Sequence, residues 1–422
     1  MRARYELIGL APLIVCVVVG GCGGGGQNPT DASAADAGIL DAGGLDVGAE
    51  DAGDVDAGER SDAGDANARD VSEAGTADAG DSGRSAHIFD PAAANPGVWT
   101  WIPIEGAHCR DGSQAGLGLR IRPGSPGLII FMHGGGGCLD ATSCAQNRAS
   151  FGGADLADWA AGLGDNHIFN PDNVMNPVRN WNAAFIAYCT GDLHGGTRTG
   201  VNVPGGPRNQ SFVGHLNMAR MTALLRDYFR GVDHVLLAGS SAGGFGTVLN
   251  YVQVTEAFAP TRVTLLDDSG PFAPTDQAFA PCLQRQIRDL WGLDAALPAA
   301  CTACFSATGD GLSNLFPYLG NTYPLARFGL VSTTGDVVIR TFYGYGRNAC
   351  DPALALPVTV DDYTTGLFAL RSILPSNWGT YYSSGSLHAI LALFPVLSVN
   401  GVTLSAWTNE LVAGRVSHVA PP

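Results

Sequence analysis

Gly239-Ser240-Ser241-Ala242-Gly243 constrains this chain more than any other segment. It fits G-x-S-x-G, in which a serine stands on a sharp turn between a strand and a helix. His234-Val-Leu-Leu-Ala ahead of it is a short apolar run that reads as a buried strand. Gly244-Phe-Gly-Thr-Val-Leu-Asn-Tyr behind it can enter a helix. Glycine suits both flanks of so tight a turn, because a side chain there would clash. In a chain with 58 glycines among 422 residues the pentad alone is a weak motif, and its surroundings decide.

Those surroundings alternate apolar runs with helical patterns. Pro126–Met132 and Trp181–Tyr188 read as buried strands, and 216–230 carries apolar residues at helical spacing (Met218, Met221, Leu224, Leu225, Tyr228). The strand before the pentad, a helix to about Ala257, and strands over Arg262–Leu266 and Ala326–Ser332 follow. Such alternation predicts an α/β fold, with a mostly parallel central sheet and helices on both faces. In such a sheet ligands bind beyond the carboxyl ends of the strands. The polar clusters sit at those ends: His133 to Cys138 with its four glycines, the pentad, Asp267-Asp268-Ser269-Gly270, and Thr333 to Asp336.

A serine hydroxyl attacks an ester only with a base to take its proton and an acid to orient that base. The α/β-hydrolase order is serine, then aspartate or glutamate, then histidine. Ser241, Asp336 and His388 occur in that order. Two histidines follow the serine. His388 lies in a glycine-containing loop before an apolar segment, whereas His418 lies near the C-terminus, where chains fray. Asp336 ends the second strand after the nucleophile strand, the usual acid position in this fold. Asp268 is the runner-up, with Asp361 and Asp362 as further options. Donors for the developing oxyanion are expected from the Ala242 N–H and from N–H groups of the glycine run after His133. His133 is expected to shape that loop, Ser240 to pack or bond locally, and Cys138 and Cys144 could close and stiffen the glycine loop.

The chain opens with Arg2 and Arg4, then an apolar run over Leu7–Gly21, too short for the roughly 20 residues of a membrane span. It ends Val19-Gly20-Gly21-Cys22, which resembles the lipobox of bacterial lipoproteins. Residues 1–22 are therefore expected to be a lipoprotein signal, with Cys22 the lipid attachment point. Residues 23–85 repeat Asp-Ala-Gly at Asp36, Asp41, Asp51, Asp56, Asp62 and Asp78 without an aromatic side chain. This stretch carries −12 of the chain's net −16, and such composition predicts a disordered tether. Acidic calcium binding is the rival reading, but the regular glycine–aspartate register is missing. Residues 86–422 then form one domain. Its charge of −5 and lack of a basic patch exclude nucleic acid as the expected partner. Eight cysteines there (109, 138, 144, 189, 282, 301, 304 and 350) suggest disulfides in an exported chain, with the pairing open. A redox or zinc role for Cys301-Thr-Ala-Cys304 lacks a thioredoxin-like strand and a second C-x-x-C.

Several motifs together resemble the pectin acetylesterase / Notum family of carbohydrate and lipid esterases. They are His133–Cys144, Asn176-Pro177, Asn180-Trp181-Asn182, Tyr188-Cys189-Thr-Gly191-Asp192, Gly239-Ser-Ser-Ala-Gly-Gly244 and Asp268-Ser269-Gly270. The resemblance spans about Trp99 to Ala413. It implies an α/β-hydrolase fold, a Ser-Asp-His triad and no cofactor or metal. It carries the nucleophile to Ser241, the oxyanion glycines to Gly134 and Gly135 beside Ala242, and by position the acid and base to Asp336 and His388. The chain departs from the pattern where relatives place an acidic residue before the glycines and an aromatic one after them. Here His133 and Gly136-Gly137 stand there. Thr190 and Asp192 also replace the plant pattern. These positions are expected to border the acyl pocket.

The expectation is an exported serine esterase removing short acyl groups, acetyl foremost, from polysaccharide. It would be a monomer, lipid-anchored in the bacterial cell envelope at the outer membrane and touching the membrane only through that lipid. Cleavage of a longer acyl ester is one alternative, and a catalytically silent binding module on the same fold is another.

Overall fold

The computed structural model describes residues 95–306, 308–351 and 356–422. The expected signal 1–22 with Cys22, the expected tether 23–85 and the first residues of the expected 86–422 domain lie outside the described residues.

Among the described residues nine strands form the main sheet: β1 (Trp99–His108), β2 (Gln114–Arg120), β3 (Gly127–Met132), β4 (Asn182–Ile186), β5 (His234–Ser240), β6 (Arg262–Asp268), β7 (Arg327–Thr333), β8 (Trp378–Ser383) and β9 (His418–Val419). Their order across the sheet is β1-β2-β4-β3-β5-β6-β7-β8-β9. The β1–β2 and β2–β4 pairs are antiparallel, and every pair from β4–β3 onward is parallel. Around the sheet pack α1 (Ala141–Gln146), α2 (Gly153–Leu163), α3 (Gly214–Tyr228), α4 (Ala242–Phe258), α5 (Pro281–Trp291), α6 (Leu315–Thr322), α7 (Val337–Gly344), α8 (Val360–Ile373) and α9 (Leu404–Val412). This is the α/β-hydrolase architecture expected from the strand–helix alternation.

Every residue of β3 and β4 is buried, as is all of β5 up to its last. Strands covered on both faces read as unbroken apolar runs, which is why these were visible in the sequence. β1, β2, β8 and β9 are not among the expected strands. β2 reads Gln-Ala-Gly-Leu-Gly-Leu-Arg because the glycines are overlaid. A Cβ on Gly116 would lie 2.4 Å from the Ile102 carbonyl, and one on Gly118 would lie 2.5 Å from Leu156. β8 (Trp-Gly-Thr-Tyr-Tyr-Ser) is fully buried but has no aliphatic run to announce it.

The parallel register fixes the site. Met132 pairs with Gly239, Ser240 with Asp268, Asp268 with Val331, and Thr333 with Ser383. The carboxyl ends of β3, β5, β6, β7 and β8 therefore lie side by side on one edge, and the loops leaving them carry the candidate residues. Among the described residues four disulfides join Cys109–Cys189, Cys138–Cys144, Cys282–Cys350 and Cys301–Cys304. The C-x-x-C pair is thus a buried cross-link.

Candidate active site

Ser241 stands between β5 and α4 with φ 61° and ψ −124°, a conformation that a side-chain-bearing residue adopts only under constraint. The flanking glycines provide that constraint. A Cβ on Gly239 would lie 2.3 Å from the Gly243 carbonyl oxygen, and one on Gly243 would lie 1.9 Å from the Met132 carbonyl oxygen. The Ser241 N–H donates to the Asp268 carbonyl (2.7 Å), tying the turn to the end of β6. Ser241 occupies the N-cap of α4, yet its hydroxyl makes no capping bond. A serine there would ordinarily satisfy one of the first helical N–H groups. This one keeps its Oγ free of that role.

The glycine loop lies against it. A Cβ built on Gly134 would meet the Ser241 Cβ at 2.9 Å and its Oγ at 3.5 Å, so the Gly134 backbone borders the hydroxyl. Gly135 has φ 154° and faces the Tyr188 ring, where a side chain would come within 2.8 Å. The loop is held at several points. Asn147 Nδ2 donates to the Gly135 carbonyl (2.6 Å) and Tyr188 Oη to the Gly136 carbonyl (2.7 Å). The Cys138 N–H donates to the Gly191 carbonyl (2.8 Å). Trp291 Nε1 donates to the Cys138 carbonyl (3.0 Å), and the Cys138–Cys144 disulfide closes the base.

Asp336 caps α7, its Oδ1 accepting from the Val338 and Ile339 N–H groups at 3.0 Å each. It is fully buried, and its carboxylate meets His388 Nδ1 at 2.8 Å (Oδ2) and 3.0 Å (Oδ1). An imidazole that donates through Nδ1 to a carboxylate presents Nε2 as an acceptor. His388 Nε2 is buried and has no protein partner. The loop bearing His388 is pinned on both sides. Thr333 Oγ1 donates to the Leu387 carbonyl (2.7 Å). Beyond the ring, Ala389 N–H donates to Ser269 Oγ, Ile390 N–H to Asp268 Oδ1 and Leu391 N–H to Asp268 Oδ2.

The structure thus gathers Ser241, Gly134, Gly135, Ala242, Asp336 and His388 at the carboxyl ends of adjacent parallel strands. The alternatives fall elsewhere. His418 lies in β9, its Nδ1 3.0 Å from Thr380 Oγ1. Asp361 and Asp362 lie in the first turn of α8, with Asp362 3.6 Å from Arg347. Asp268 bonds the main chain after His388, and none of its hydrogen bonds reaches the imidazole ring.

Two expectations need correcting. Ser240 does not bond locally: its Oγ donates across strands to Asp268 Oδ2 (2.8 Å), because β5 and β6 bring those two residues into register. Thr190 and Asp192 do not border a pocket. Asp192 is fully buried and accepts from Thr190 Oγ1 (2.6 Å), His194 N–H (3.1 Å) and Gly214 N–H (2.7 Å). Burial pushes its carboxyl up to about 6, against the pull of those donors. His133 does shape the loop, but through its carbonyl, which His194 Nε2 meets at 2.8 Å. Burial drives the His133 ring down to about 3 and that of His194 to about 4, so both are neutral. Trp291 escaped notice in the sequence altogether. It packs where a Gly137 side chain would stand, 3.1 Å from the Cβ position. Among the described residues no three His, Cys, Asp or Glu side chains are grouped to hold a metal.

Against known proteins, a family model described as Pectinacetylesterase matches residues 100–322, a span that includes the glycine loop and Ser241 and ends before Asp336 and His388. Palmitoleoyl-protein carboxylesterase NOTUM of Drosophila melanogaster is 30% identical over 213 residues, covering 47% of this chain and 31% of that protein. The Homo sapiens protein of the same name is 31% identical over 178 residues (40% and 35%). Pectin acetylesterase 7 of Arabidopsis thaliana is 26% identical over 218 residues (47% and 52%). The chain thus spans about a third to a half of the length of these relatives. Among solved structures, the Wnt deacylase Notum from Drosophila superposes with a TM-score of 0.56 at 21% identity, covering 76% of this chain and 96% of that one. At that identity the likeness concerns the fold.

Proposed function

The chain belongs to the pectinacetylesterase family, and from that premise we propose that it is an exported serine esterase releasing short acyl groups, acetyl foremost, from polysaccharide. The observation that carries the reading is the buried Asp336–His388 pair, with Nε2 left without a protein partner on the sheet edge where Ser241 stands. In the proposed reaction Ser241 Oγ attacks the ester carbonyl carbon while His388 Nε2 takes its proton. Asp336 holds the ring in the donating tautomer and stabilises the imidazolium. The N–H groups of Gly134, Gly135 and Ala242 bind the carbonyl oxygen as it gains negative charge. The C–O bond to the sugar breaks, and the departing oxygen receives the proton from His388. Water, deprotonated by the same histidine, then hydrolyses the acyl-serine.

Four disulfides support export, since such cross-links persist in oxidising compartments. The lipobox-like Val19–Cys22 supports a finer reading: Cys22 carries lipid that anchors the protein to the bacterial outer membrane, with residues 23–85 as the tether. The membrane is touched through that lipid alone, and the acylated polysaccharide is the partner.

The names of the NOTUM relatives favour a second reading, hydrolysis of a longer acyl chain. Acetate release from a panel of acetylated glycans, beside a chain-length series of p-nitrophenyl esters, separates the two. The acetyl reading predicts the highest kcat/KM at two to four carbons together with glycan-derived acetate. A preference for eight or more carbons would sink it.

A further inference from the structure

We infer that Asp268 is a positioning residue for this reaction, a single carboxylate that locks the turn bearing Ser241 to the loop bearing His388. The inference rests on the esterase reading above and gives a role to residues that stand outside the Ser241, His388 and Asp336 set.

Asp268 is fully buried at the carboxyl end of β6, between the nucleophile strand and the acid strand. Four donors converge on its carboxylate, and they come from both sides of the site. From the nucleophile side, Ser240 Oγ reaches Oδ2 at 2.8 Å, one residue before Ser241. From the histidine side, Ile390 N–H reaches Oδ1 at 2.9 Å and Leu391 N–H reaches Oδ2 at 3.0 Å, two and three residues after His388. Ser269 Oγ completes the set at 3.1 Å from Oδ1 and accepts the Ala389 N–H at 3.2 Å. Three consecutive N–H groups after the histidine are therefore held by Asp268 and its neighbour. The Asp268 main chain takes part as well, its carbonyl accepting the Ser241 N–H at 2.7 Å.

The strands that carry the two sides are not neighbours in the sheet. β5 and β8 are separated by β6 and β7, and 147 positions separate Ser241 from His388 in the numbering. Three residues adjoining the carboxylate are also in unfavourable backbone conformations: Ser241 at φ 61°, Ser269 at φ 65° and Ala389 at φ 59°. Such conformations persist only where the surroundings over-determine them. A buried carboxylate with four donors is a strong device for that purpose, because charge-assisted hydrogen bonds are about twice as strong as neutral ones. Burial pushes the Asp268 carboxyl up to about 6, while the Leu391 N–H and the Ser240 and Ser269 hydroxyls draw it down. Asp268 thus serves His388 through its main chain, whereas Asp336 serves it through the ring.

Asp268→Asn and Ser240→Ala, singly and together, test the inference by steady-state kinetics on p-nitrophenyl acetate in the full chain, beside melting curves. Asp268→Asn puts an NH2 against a backbone N–H whichever way the amide faces, since Ile390 donates to Oδ1 and Leu391 to Oδ2, and is expected to lower kcat about 10- to 100-fold with KM within about threefold. Ser240→Ala is expected to lower kcat about 3- to 10-fold. The double variant should fall no further than Asp268→Asn alone, since one network is broken in both. Wild-type kcat in a folded Asp268→Asn protein, or strictly additive losses, would overturn the inference. Where Asp268→Asn fails to fold, Ser240→Ala decides: a lower kcat at unchanged KM upholds the inference and an unchanged kcat overturns it. A wild-type chain inert both to p-nitrophenyl acetate and to a fluorophosphonate probe would overturn the esterase reading itself, and the inference with it.

Discussion

Ser241, Gly239 and Gly243 were legible at the scale of the residue because a strand-to-helix turn this tight admits few sequences, and its glycines meet carbonyl oxygens at 1.9–2.3 Å when a Cβ is added. Asp336 and His388 were legible by order and by their place at or after strand ends. The partners of Ser240 were not, because the contact with Asp268 depends on register between β5 and β6, which apolar runs do not encode. Thr190 and Asp192 misled because a polar cluster after a buried strand looks the same whether it lines a pocket or ties backbone together in the interior. Buried histidines raise a matching issue at the opposite end of β5. His234 lies between Thr264 Oγ1 (2.8 Å, Nε2) and the Arg262 guanidinium (2.8 Å, Nδ1), and burial followed by that positive charge drives it down to about 3. Its folded value is depressed below the unfolded one, so the unfolded chain takes up the proton first. The stability it contributes is complete above about pH 6.5 and is lost as pH falls toward 3. The gap in melting temperature between wild type and His234→Gln should therefore narrow from pH 7 to pH 4. An undiminished gap at pH 4 would show that His234 is not held neutral.

At the scale of the element, fully buried aliphatic strands announced themselves and the others did not. β3, β4 and β5 carry continuous apolar runs, whereas β2 needs glycines under Trp101 and Leu156, and β8 buries tyrosines and a tryptophan in place of aliphatics. In the proposed reaction the loop after β3 supplies oxyanion donors. Its Gly134 backbone borders Ser241, and its order comes from outside: Asn147, Tyr188, Trp291 and the Cys138–Cys144 bond. Replacing both Cys138 and Cys144 with serine should lower kcat on p-nitrophenyl acetate about 3- to 30-fold, less than outright loss of one oxyanion donor would cost, because the loop is loosened and not removed. The global melting transition should move less than it would on loss of Cys109–Cys189, which closes a far longer loop. Unchanged kcat in the double serine variant would mean that hydrogen bonds alone order the loop.

At the scale of the whole molecule, the parallel sheet is what assembles the site. Residues between Gly134 and His388 meet because five strands end together on one edge, and the helices that follow present their N-termini there. That architecture was readable from the alternation of strands and helices, while the antiparallel β1–β2 edge and the disulfide pairing were not. The pairing needs three-dimensional proximity that spacing does not supply. The central claim is that Ser241, served by His388 and Asp336, is the nucleophile of an ester hydrolase. It is tested most directly by kcat/KM of Ser241→Ala on p-nitrophenyl acetate, with a melting curve to show that the variant is folded. The account predicts a fall of about 10³- to 10⁶-fold. A folded Ser241→Ala protein that hydrolyses the ester at the wild-type rate would contradict it.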